Sequence, residues 1–306
     1  MLGSLAPRRL PLAQREAALA VVAAVHARCD WSVTLAGDPL RYAHRHPPGE
    51  DREVAAMLGA LLAFGNVKAI LAKLDALLHR LDGAPGRTAR TATREELTAR
   101  LHGWRHRTFG GDDVAALLFA AGELLRRDGS LFAALDAHWD DAQDLREALA
   151  RWVDGLRASA WPGGLDRAAK HLLPDPRGPS ASKRLLLLAR WAVRHEGPDL
   201  GLCARVPAAA LVMPLDVHVH RIARNLGFTA RADASWTTAL EITDALRPLD
   251  PGDPVRFDMA LCHVGISMRC PSKRDPVRCE GCALRSVCRH WWSTQPPRVS
   301  HPSPRA

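Results

Sequence analysis

The sequence predicts an all-α protein, an array of many short packed helices rather than a coiled coil. Apolar residues recur with helical period along most of the 306 residues. Glycine pairs such as Gly110-Gly111 separate the periodic stretches, as expected for loops between helices. No stretch shows the convincing apolar–polar alternation of a half-buried strand. These three observations together indicate the fold class.

Seven helices are predicted in the first half of the chain. The first is amphipathic, the second is strongly apolar and stops at Gly65-Asn66, and the third carries leucine at helical spacing. Residues 83–87 form a predicted loop after the third helix. The seven predicted helices span residues 11–29, 52–64, 67–82, 94–102, 111–127, 130–138 and 142–158.

The second half of the chain continues in the same way. A turn rich in glycine, proline and serine leads into a leucine-rich helix. The segment 293–306 is rich in proline, serine and arginine, which predicts a disordered basic tail. The predicted helices here span residues 183–195, 207–212, 217–226, 235–247 and 254–268.

The chain carries a formal net charge of +9, with 37 arginines and only 5 lysines. A basic balance of this size favours a polyanionic partner, nucleic acid first and an anionic membrane surface second. No run of eighteen apolar residues predicts a membrane span, and no clear cleavage site marks a signal peptide. We therefore expect a cytoplasmic protein with reduced thiols, associated with the nucleoid if it is bacterial.

Four cysteines near the C-terminus are the most specific feature of the chain. They are spaced Cys-x8-Cys-x2-Cys-x5-Cys, at Cys270, Cys279, Cys282 and Cys288. Four thiolates at this spacing predict a metal or cluster site. A zinc ribbon usually offers two Cys-x2-Cys pairs, whereas this loop has one, so a 4Fe-4S cluster is favoured. Zinc and free thiols remain the alternatives.

The cluster is expected to fix a basic loop that reaches DNA phosphates. The cations of this loop are Lys273, Arg274 and Arg278. The three remaining cysteines are interpreted as ordinary buried thiols; they are Cys29, Cys203 and Cys262.

Asp216 lies immediately before the predicted helix 217–226. As an N-cap, its carboxylate accepts backbone N–H groups and complements the helix dipole, which is the simplest interpretation. The alternative is a catalytic carboxylate. His218 and His220 follow it, but a spacing of two places them on different sides of a helix. We therefore do not expect these histidines to share a metal.

Lys183 opens the predicted helix 183–195. Backbone N–H groups at such a turn and helix start can hold one phosphate, and Ser180 or Ser182 is the predicted cap. The turn residues that we expect to contact phosphate are Arg177, Gly178, Ser180 and Ser182. In the simpler interpretation the turn is a plain loop and Lys183 is a solvated first-turn residue. Lysine, unlike arginine, can act as an amine nucleophile.

Taken in order, the turn with Lys183, the helix start with Asp216 and the clustered cysteines resemble the helix-hairpin-helix DNA glycosylases of the endonuclease III kind. In that family a hairpin grips DNA and a lysine that opens its second helix attacks the sugar C1′. An aspartate supports the attack, and an iron–sulfur loop closes the domain. The resemblance implies that Lys183 is the nucleophile and Asp216 the catalytic aspartate. It implies that the cluster ligands are Cys270, Cys279, Cys282 and Cys288.

The resemblance covers roughly residues 50–290 and implies a two-lobed helical array. Residues 48–204 form a helical barrel that ends in the helix-hairpin-helix, and residues 1–47 with 205–292 form the lobe that carries the cluster. The segment 61–66 lies where the family fills the void left by a flipped base. The expected contacts to that base are Phe64, Asn66, His106 and Trp191, with Arg105 as a further candidate.

The implied activity is that of a DNA-lesion N-glycosylase with AP-lyase activity in base excision repair. Its implied partner is damaged double-stranded DNA, with no membrane and no obligate protein partner. The main alternative is a non-catalytic iron–sulfur helix-hairpin-helix module that binds DNA or structured RNA. A third hypothesis is a cluster-based sensor of redox state or DNA charge.

Three departures from the family pattern accompany the resemblance. The hairpin reads Leu-Pro-Asp-Pro-Arg-Gly-Pro at 173–179 where the family has Leu-Pro-Gly-Val-Gly, the first gap between cysteines is longer, and residues 135–170 are an insertion. Such departures accompany either a different substrate or a loss of catalysis. Closer still, five short motifs look like an uncharacterised bacterial branch of unknown function. They begin at Asp38, Asp51, Lys183, Pro214 and Asp253.

Overall fold

The computed structural model describes residues 12–267, 270–271 and 273–291. These residues fold almost entirely into helices, which confirms the predicted all-α class. The predicted tail at 293–306 lies outside the described residues. The α-helices of the described part are α1 (Leu12–His26), α2 (Trp31–Leu35), α3 (Glu50–Leu61), α4 (Val67–Arg80), α5 (Pro85–Thr91), α6 (Arg94–Leu101), α7 (Gly111–Asp128), α8 (Leu131–Ala142), α9 (Leu145–Ala160), α10 (Arg167–Leu172), α11 (Lys183–Val193), α12 (Val217–Asn225), α13 (Trp236–Leu246) and α14 (Asp258–Ser267).

Short elements complete the described chain. Two strands, β1 (Arg105–His106) and β2 (Phe109–Gly110), form a small antiparallel hairpin. The 3-10 helices span Pro39–Arg45, Ala208–Ala210, Pro254–Phe257 and Arg285–Val287. Within the described ranges, every helix is too short or too polar to cross a membrane.

The long predicted helices are all present, with ends shifted by a few residues. The predicted helix at 207–212 is wrong, because Leu211 is already extended and a single 3-10 turn forms before it. The predicted loop at 83–87 is wrong in part, since α5 begins at Pro85, whose fixed φ suits a first helical turn. Sequence periodicity also missed the short helices α2 and α10 and the hairpin of β1 and β2.

The chain divides into two compact units. The larger unit comprises Asp30–Leu215 and Asp233–Val255, and the smaller unit comprises the described parts of Met1–Cys29, Asp216–Ala232 and Arg256–Ala306. Residues 30–47, 205–215 and 233–255 group with the larger unit, whereas the sequence placed them with the cysteine loop.

Helix α7 lies at the centre of the larger unit and packs against α5, α6 and α9. Two of its glycines allow close approach of neighbouring backbone. A Cβ at Gly122 would lie 1.9 Å from the carbonyl oxygen of Ala89 in α5. A Cβ at Gly111 would lie 2.0 Å from that of Leu101 in α6. A larger side chain is therefore excluded at both positions unless the backbone moves.

Helices α8 and α9, which lie largely in the predicted insertion, belong to the core of the larger unit. The buried rings of Phe132 in α8 and Trp152 in α9 stack with their centroids 6.4 Å apart. The buried carboxylate of Asp136 in α8 accepts the backbone N–H groups of Ala204 (2.8 Å) and Arg205 (3.0 Å). The insertion therefore also fixes the segment that follows α11.

Helix α11 packs on α3 and carries a buried ion network at its C-terminal end. Arg190 pairs with Asp199 at 3.1 Å, and Arg194 pairs with both Asp199 and Asp253, the latter at 2.8 Å. All four side chains are largely buried. Because each charge has an opposite partner, the network holds the position of α11 rather than leaving a charge uncompensated.

The smaller unit is built on α1, α12 and α14. Helices α12 and α14 pack closely at Gly265, where an added Cβ would lie 2.7 Å from the Cβ of His218. Helix α1 contacts α14 and the 3-10 helix Arg285–Val287 in the cysteine loop. The N-terminal helix is therefore part of the support for the cysteines.

Candidate functional site

Helices α10 and α11 and the turn between them, residues 173–182, form a helical hairpin in the larger unit. Two arginines of α9 hold this turn through its carbonyl groups. Arg146 donates to two of the carbonyls, at 2.8 and 3.1 Å, and Arg157 donates to the carbonyl of Leu173 at 2.7 Å. The turn therefore has a defined shape without the glycines of a Leu-Pro-Gly-Val-Gly hairpin.

Arg177, an expected DNA contact in this turn, is engaged within the larger unit. Its guanidinium pairs with Asp175 at 2.9 Å and with Asp154 at 2.7 Å, and these two carboxylates raise the pKa of Arg177. A phosphate that binds Arg177 must displace these two carboxylates from its guanidinium group. Gly178 is half-buried, and its carbonyl accepts the Arg146 guanidinium.

The predicted side-chain cap of α11 is not formed. Ser182 is the N-cap residue, but its φ is +50° and its buried hydroxyl has no hydrogen-bond partner among the described residues. Ser180 is exposed, and its hydroxyl accepts the N–H of Ser182 (3.2 Å) rather than an N–H of the helix. A serine in the left-handed region stores backbone strain, which is frequent at functional sites.

Lys183 is the first residue of α11 and is half-buried. Among the described residues of the larger unit, its amine makes no hydrogen bond and no ion pair. Of the other cations of this helix, Arg190 is held by a carboxylate and Arg184 by backbone carbonyl groups. The amine of Lys183 is therefore the cation of α11 that is available to a ligand.

Arg184 fixes the helix on which Lys183 stands. Its buried guanidinium donates to the carbonyls of Leu61 at the end of α3 and of His171 and Leu172 at the end of α10, the last at 3.4 Å. Burial lowers the pKa of Arg184 to about 10. The cation meets the carbonyl ends of two helices, where a positive charge is favoured.

Asp38 is a candidate site residue that sequence reasoning missed. Its half-buried carboxylate caps the 3-10 helix Pro39–Arg45 by accepting the N–H of Leu40 at 2.8 Å. Burial raises the pKa of Asp38, although the positive charges of Arg190 and Lys183 oppose the rise. Its signal in the sequence was the Asp-Pro-Leu motif, which by itself indicated no role.

Asp216 caps α12 in the smaller unit, as the simplest interpretation predicted. One carboxylate oxygen accepts the N–H groups of His218 (2.8 Å) and Val219 (2.7 Å). The second oxygen accepts the thiol of Cys262, with the sulfur at 3.6 Å. The carboxylate is thus half-buried and held from two sides.

The other polar side chains near Asp216 point in different directions. The ring of His220 donates to the carbonyl of Arg231 (3.1 Å), whereas His218 packs on α14. Of the three cysteines expected to be buried, Cys203 is buried, but Cys29 and Cys262 are only half-buried. The expectation was wrong for Cys29 because it lies at the end of α1, and for Cys262 because it faces a polar cap.

The four clustered cysteines line one pocket in the smaller unit. The pocket holds about 470 Å³ of space without atoms, part of which is open to solvent. The protein surface that lines it is mostly apolar. Burial raises the pKa of Cys288 to about 11, and the neighbouring thiols of Cys270, Cys282 and Cys279 add to the rise. The structure therefore brings together the four residues that the spacing selected.

Four thiols are a donor set that a 4Fe-4S cluster or a single zinc ion can take. Within the described part of the chain, no three His, Cys, Asp or Glu side chains converge on one ion position. Around the pocket, the amide of Asn225 donates to the sulfur of Cys270 (3.6 Å), and Arg221 donates to the carbonyl of Cys270 (2.6 Å).

An open basic concavity adjoins the cysteine pocket. It is lined by Arg221, Lys273, Arg274, Asp275 and Arg278. Arg278 pairs with Asp275 at 3.6 Å, and the guanidinium groups of Arg274 and Arg285 stack over the ring of Trp291 at 4.3 and 4.1 Å. The three cations expected to contact DNA are exposed and lie together.

Two of the expected base contacts, Phe64 and His106, belong to one aromatic cluster near the end of α3. The ring of His106 donates to the carbonyl of Phe64 (3.1 Å), and the rings of Phe64 and His171 meet edge to face at 4.6 Å. Arg107, which sequence reasoning missed, places its guanidinium 4.5 Å from the centre of the Phe64 ring. Burial lowers the pKa of both histidines.

The other expected base contacts have different surroundings. Asn66 is exposed and caps α4 by accepting the N–H of Lys68 (3.0 Å). Arg105 is exposed in β1. Trp191 has no exposed surface and lies 3.5 Å from the position of a Cβ on Gly59 in α3. A direct contact between Trp191 and a base requires the core to open.

These observations define a class of helical proteins in which one unit carries a hairpin headed by a lysine and another carries a four-cysteine loop. Residues 38–267 match the model of a family described as a protein of unknown function (DUF2400), and the chain belongs to that family. The match includes Lys183 and Asp216 and ends before Cys270. No curated protein matches the chain.

Proposed function

We propose that this protein is a DNA-lesion N-glycosylase with AP-lyase activity, and that Lys183 is its nucleophile. The observation that carries the proposal is the amine of Lys183, which heads α11, is half-buried and has no partner among the described residues of its unit. The order of motifs along the chain supplies the reaction class by resemblance. The net charge of +9 supports a nucleic acid as the partner.

The substrate is a nucleotide that has been extruded from duplex DNA. Extrusion costs roughly a few kcal/mol and costs least for a damaged or mismatched base, which contributes to selectivity. Lys273 and Arg274, both exposed, supply salt-dependent contacts to the DNA backbone. Phe64 and Arg107 present a ring and a stacked cation, a combination that suits an unpaired base.

The chemistry begins when Lys183 loses a proton. Its nitrogen then forms a bond to C1′ of the sugar, the bond from C1′ to the base breaks, and the electron pair leaves with the base. The departing base takes up a proton. The C1′–O4′ bond then breaks, O4′ takes a proton, and C1′ and the lysine nitrogen form a Schiff base, from which β-elimination cleaves the strand. Asp216 stabilises the positive charge that develops on the sugar, and its place as a cap fixes the orientation of its carboxylate.

The four clustered cysteines hold a 4Fe-4S cluster in this proposal. The cluster supplies cross-links between distant parts of the loop and takes no part in bond making. It fixes the exposed cations Lys273, Arg274 and Arg278 relative to α12, to which Cys270 is joined through Arg221 and Asn225.

Borohydride trapping tests the assignment of Lys183. Duplexes that each carry a single lesion, and one that carries an abasic site, are incubated with the protein and reduced, and covalent complexes are counted on denaturing gels. We expect the wild type to be trapped and Lys183→Gln to lose trapping, because glutamine has no nucleophilic amine. Lys170→Gln is the matched control, since Lys170 is an exposed lysine of the neighbouring helix α10.

Persistent trapping of Lys183→Gln would overturn the assignment of the nucleophile. Binding of lesion duplexes without any trapping of the wild type would favour the non-catalytic module instead. The engagement of Arg177 by Asp154 and Asp175 does not separate the two functions, because both require contacts to phosphate. Binding is measured by fluorescence anisotropy with the same duplexes.

A further inference from the structure

We propose that the thiol of Cys262 positions the carboxylate of Asp216 for the step in which the base leaves the sugar. This inference rests on the proposed function, in which Asp216 stabilises the positive charge that develops on the sugar. Cys262 lies in α14 of the smaller unit and acts through Asp216, so it is a positioning residue. The sequence predicted only an ordinary buried thiol at this position.

The first observation is the hydrogen bond between the two side chains. The sulfur of Cys262 lies 3.6 Å from Oδ2 of Asp216, and the thiol is the donor. The two N–H groups that make Asp216 an N-cap, those of His218 and Val219, both reach Oδ1. Among the described residues, the thiol is therefore the donor to the second oxygen.

This hydrogen bond matters because of how an aspartate side chain rotates. The torsion about the Cβ–Cγ bond of an aspartate is broad and roughly twofold, so a cap formed at one oxygen leaves the plane of the carboxylate poorly defined. A donor from a second helix restricts this torsion. Oδ1 already accepts two backbone N–H groups, so Oδ2 is the oxygen with a lone pair left for a cation.

The packing of α14 on α12 holds the thiol at this distance. Cys262 and Gly265 are three residues apart, so they lie on one face of α14, and α14 contacts α12. An added Cβ at Gly265 would lie 2.7 Å from the Cβ of His218 and 3.3 Å from Cδ1 of Ile222, both in α12. Glycine therefore lets the two helices approach closely, which brings the thiol to the start of α12.

A thiol suits this role because it is a weak hydrogen-bond donor. A carboxylate stabilises a nearby cation only while it keeps its negative charge, and an arginine or lysine partner would compensate that charge. Among the described residues of the smaller unit, no basic side chain forms an ion pair with Asp216. Cys262 thus orients the carboxylate without cancelling its charge.

Two substitutions separate hydrogen bonding from packing. Cys262→Val nearly keeps the side-chain volume and removes the donor, whereas Cys262→Ser keeps a donor and reduces the volume. Base release is measured with enzyme in excess, on the single-lesion duplex that the wild type processes fastest. We expect Cys262→Val to be about five- to tenfold slower and Cys262→Ser to stay within about threefold of the wild type. A role in packing alone predicts the opposite order.

Trapping on an abasic duplex provides the internal control. An abasic site has already lost its base, so attack by Lys183 on the aldehyde does not require Asp216 to stabilise the departure of a base. Cys262→Val should therefore be trapped at the rate of the wild type, and its affinity for the lesion duplex, measured by fluorescence anisotropy, should be unchanged. A general distortion of the protein would slow both reactions.

Cys29→Val is the matched control variant, because Cys29 is a half-buried thiol of the same unit that donates to the carbonyl of Val25. It should leave base release and trapping unchanged. Thermal unfolding confirms that all variants are folded.

Infrared spectroscopy tests the contact without DNA. The S–H stretch absorbs where other protein groups do not, and its frequency falls when the hydrogen is bonded. The difference between the spectra of the wild type and Cys262→Val isolates the band of this thiol. The same difference in the Asp216→Ala background should give a band at higher frequency, because the acceptor has been removed. A band at the same frequency in both backgrounds contradicts the contact.

The outcomes keep the two proposals apart. A rate of Cys262→Ser as low as that of Cys262→Val overturns the inference, and so does equal slowing of base release and abasic trapping. With an active wild type, an S–H band that does not move overturns the inference and leaves the proposed function intact. A wild type that releases no base from any lesion contradicts the proposed function. The role of Cys262 in base release is then wrong as well, even if the S–H band moves and the contact exists.

Discussion

Arg184 is a buried cation whose hydrogen bonds, among the described residues, go to three carbonyl oxygens and to no carboxylate. It joins the end of α3 to the end of α10 and lies next to the proposed nucleophile. A single side chain therefore holds the hairpin to the helix beneath it. Losing it leaves helix-end carbonyls without their donor in a place that water reaches poorly.

We expect Arg184→Met to lower the free energy of unfolding by about 2–4 kcal/mol, because the hydrogen bonds of a charged donor are lost while the apolar volume is kept. Trapping by Lys183 should fall as well, since α11 loses its anchor to α3. Chemical denaturation and abasic-site trapping measure the two effects. Arg167→Met in α10 is the control, because Arg167 is exposed, and equal losses in both variants would contradict the anchoring role.

At the scale of single residues, the sequence selected Lys183, Asp216 and the four cysteines but not the groups around them. The spacing of cysteines is visible along the chain, and a cap lies next to its helix. The partners of Arg184 are different, because they are remote along the chain. Leu61 lies 123 residues before Arg184, so only the packing of helices makes them neighbours.

At the scale of helices, the close approach of α7 and α5 depends on the absence of a side chain. Gly122 is in contact with the backbone of Ala89, which cannot move without shifting α5. Gly155 in α9 offers a comparison, since a Cβ there meets no atom within 4 Å and the residue is exposed. Both are glycines inside helices, and the difference between them is steric.

We expect Gly122→Ala to destabilise the protein by about 3 kcal/mol, through overpacking that forces α5 and α7 apart. Gly155→Ala should stabilise it by about 0.5–1 kcal/mol, since alanine is the better helix former where nothing is displaced. Thermal and urea unfolding of the two variants give the comparison. Equal changes in the free energy of unfolding of the two variants would mean that α5 and α7 can move apart at little energetic cost.

The sequence predicted the helices that are long enough to show a period. Helices α2, α5 and α10 have 5, 7 and 6 residues, so apolar positions repeat too few times in them to show a helical period. Their start signals were present, with Pro85 at the start of α5 and Asp166 accepting the N–H of Ala169 in α10. Such caps also occur in loops, so a cap without a following period identifies no helix on its own.

At the scale of the whole molecule, the smaller unit is assembled from three separate segments of the chain. The cysteine loop contacts α1 from the beginning of the chain, and Cys270 is bonded to Arg221 and Asn225 of α12. Spacing along the sequence identified the four thiols but could not show which helices support them. Loss of the cofactor should therefore destabilise α1 and α12 together with the cysteine loop, and not the loop alone.

The cofactor prediction follows from this support. Protein purified without oxygen should contain about four iron and four sulfide per chain and absorb visible light. Cys282→Ser should lose the iron and the colour, and its melting temperature should fall by about 5 °C or more, because ligand binding that stabilises the folded unit is lost. Cys29→Ser, which changes a half-buried thiol outside the pocket, should keep both. One zinc per chain with no iron would contradict the cluster, whereas a coloured Cys282→Ser protein would remove this thiol from its ligands.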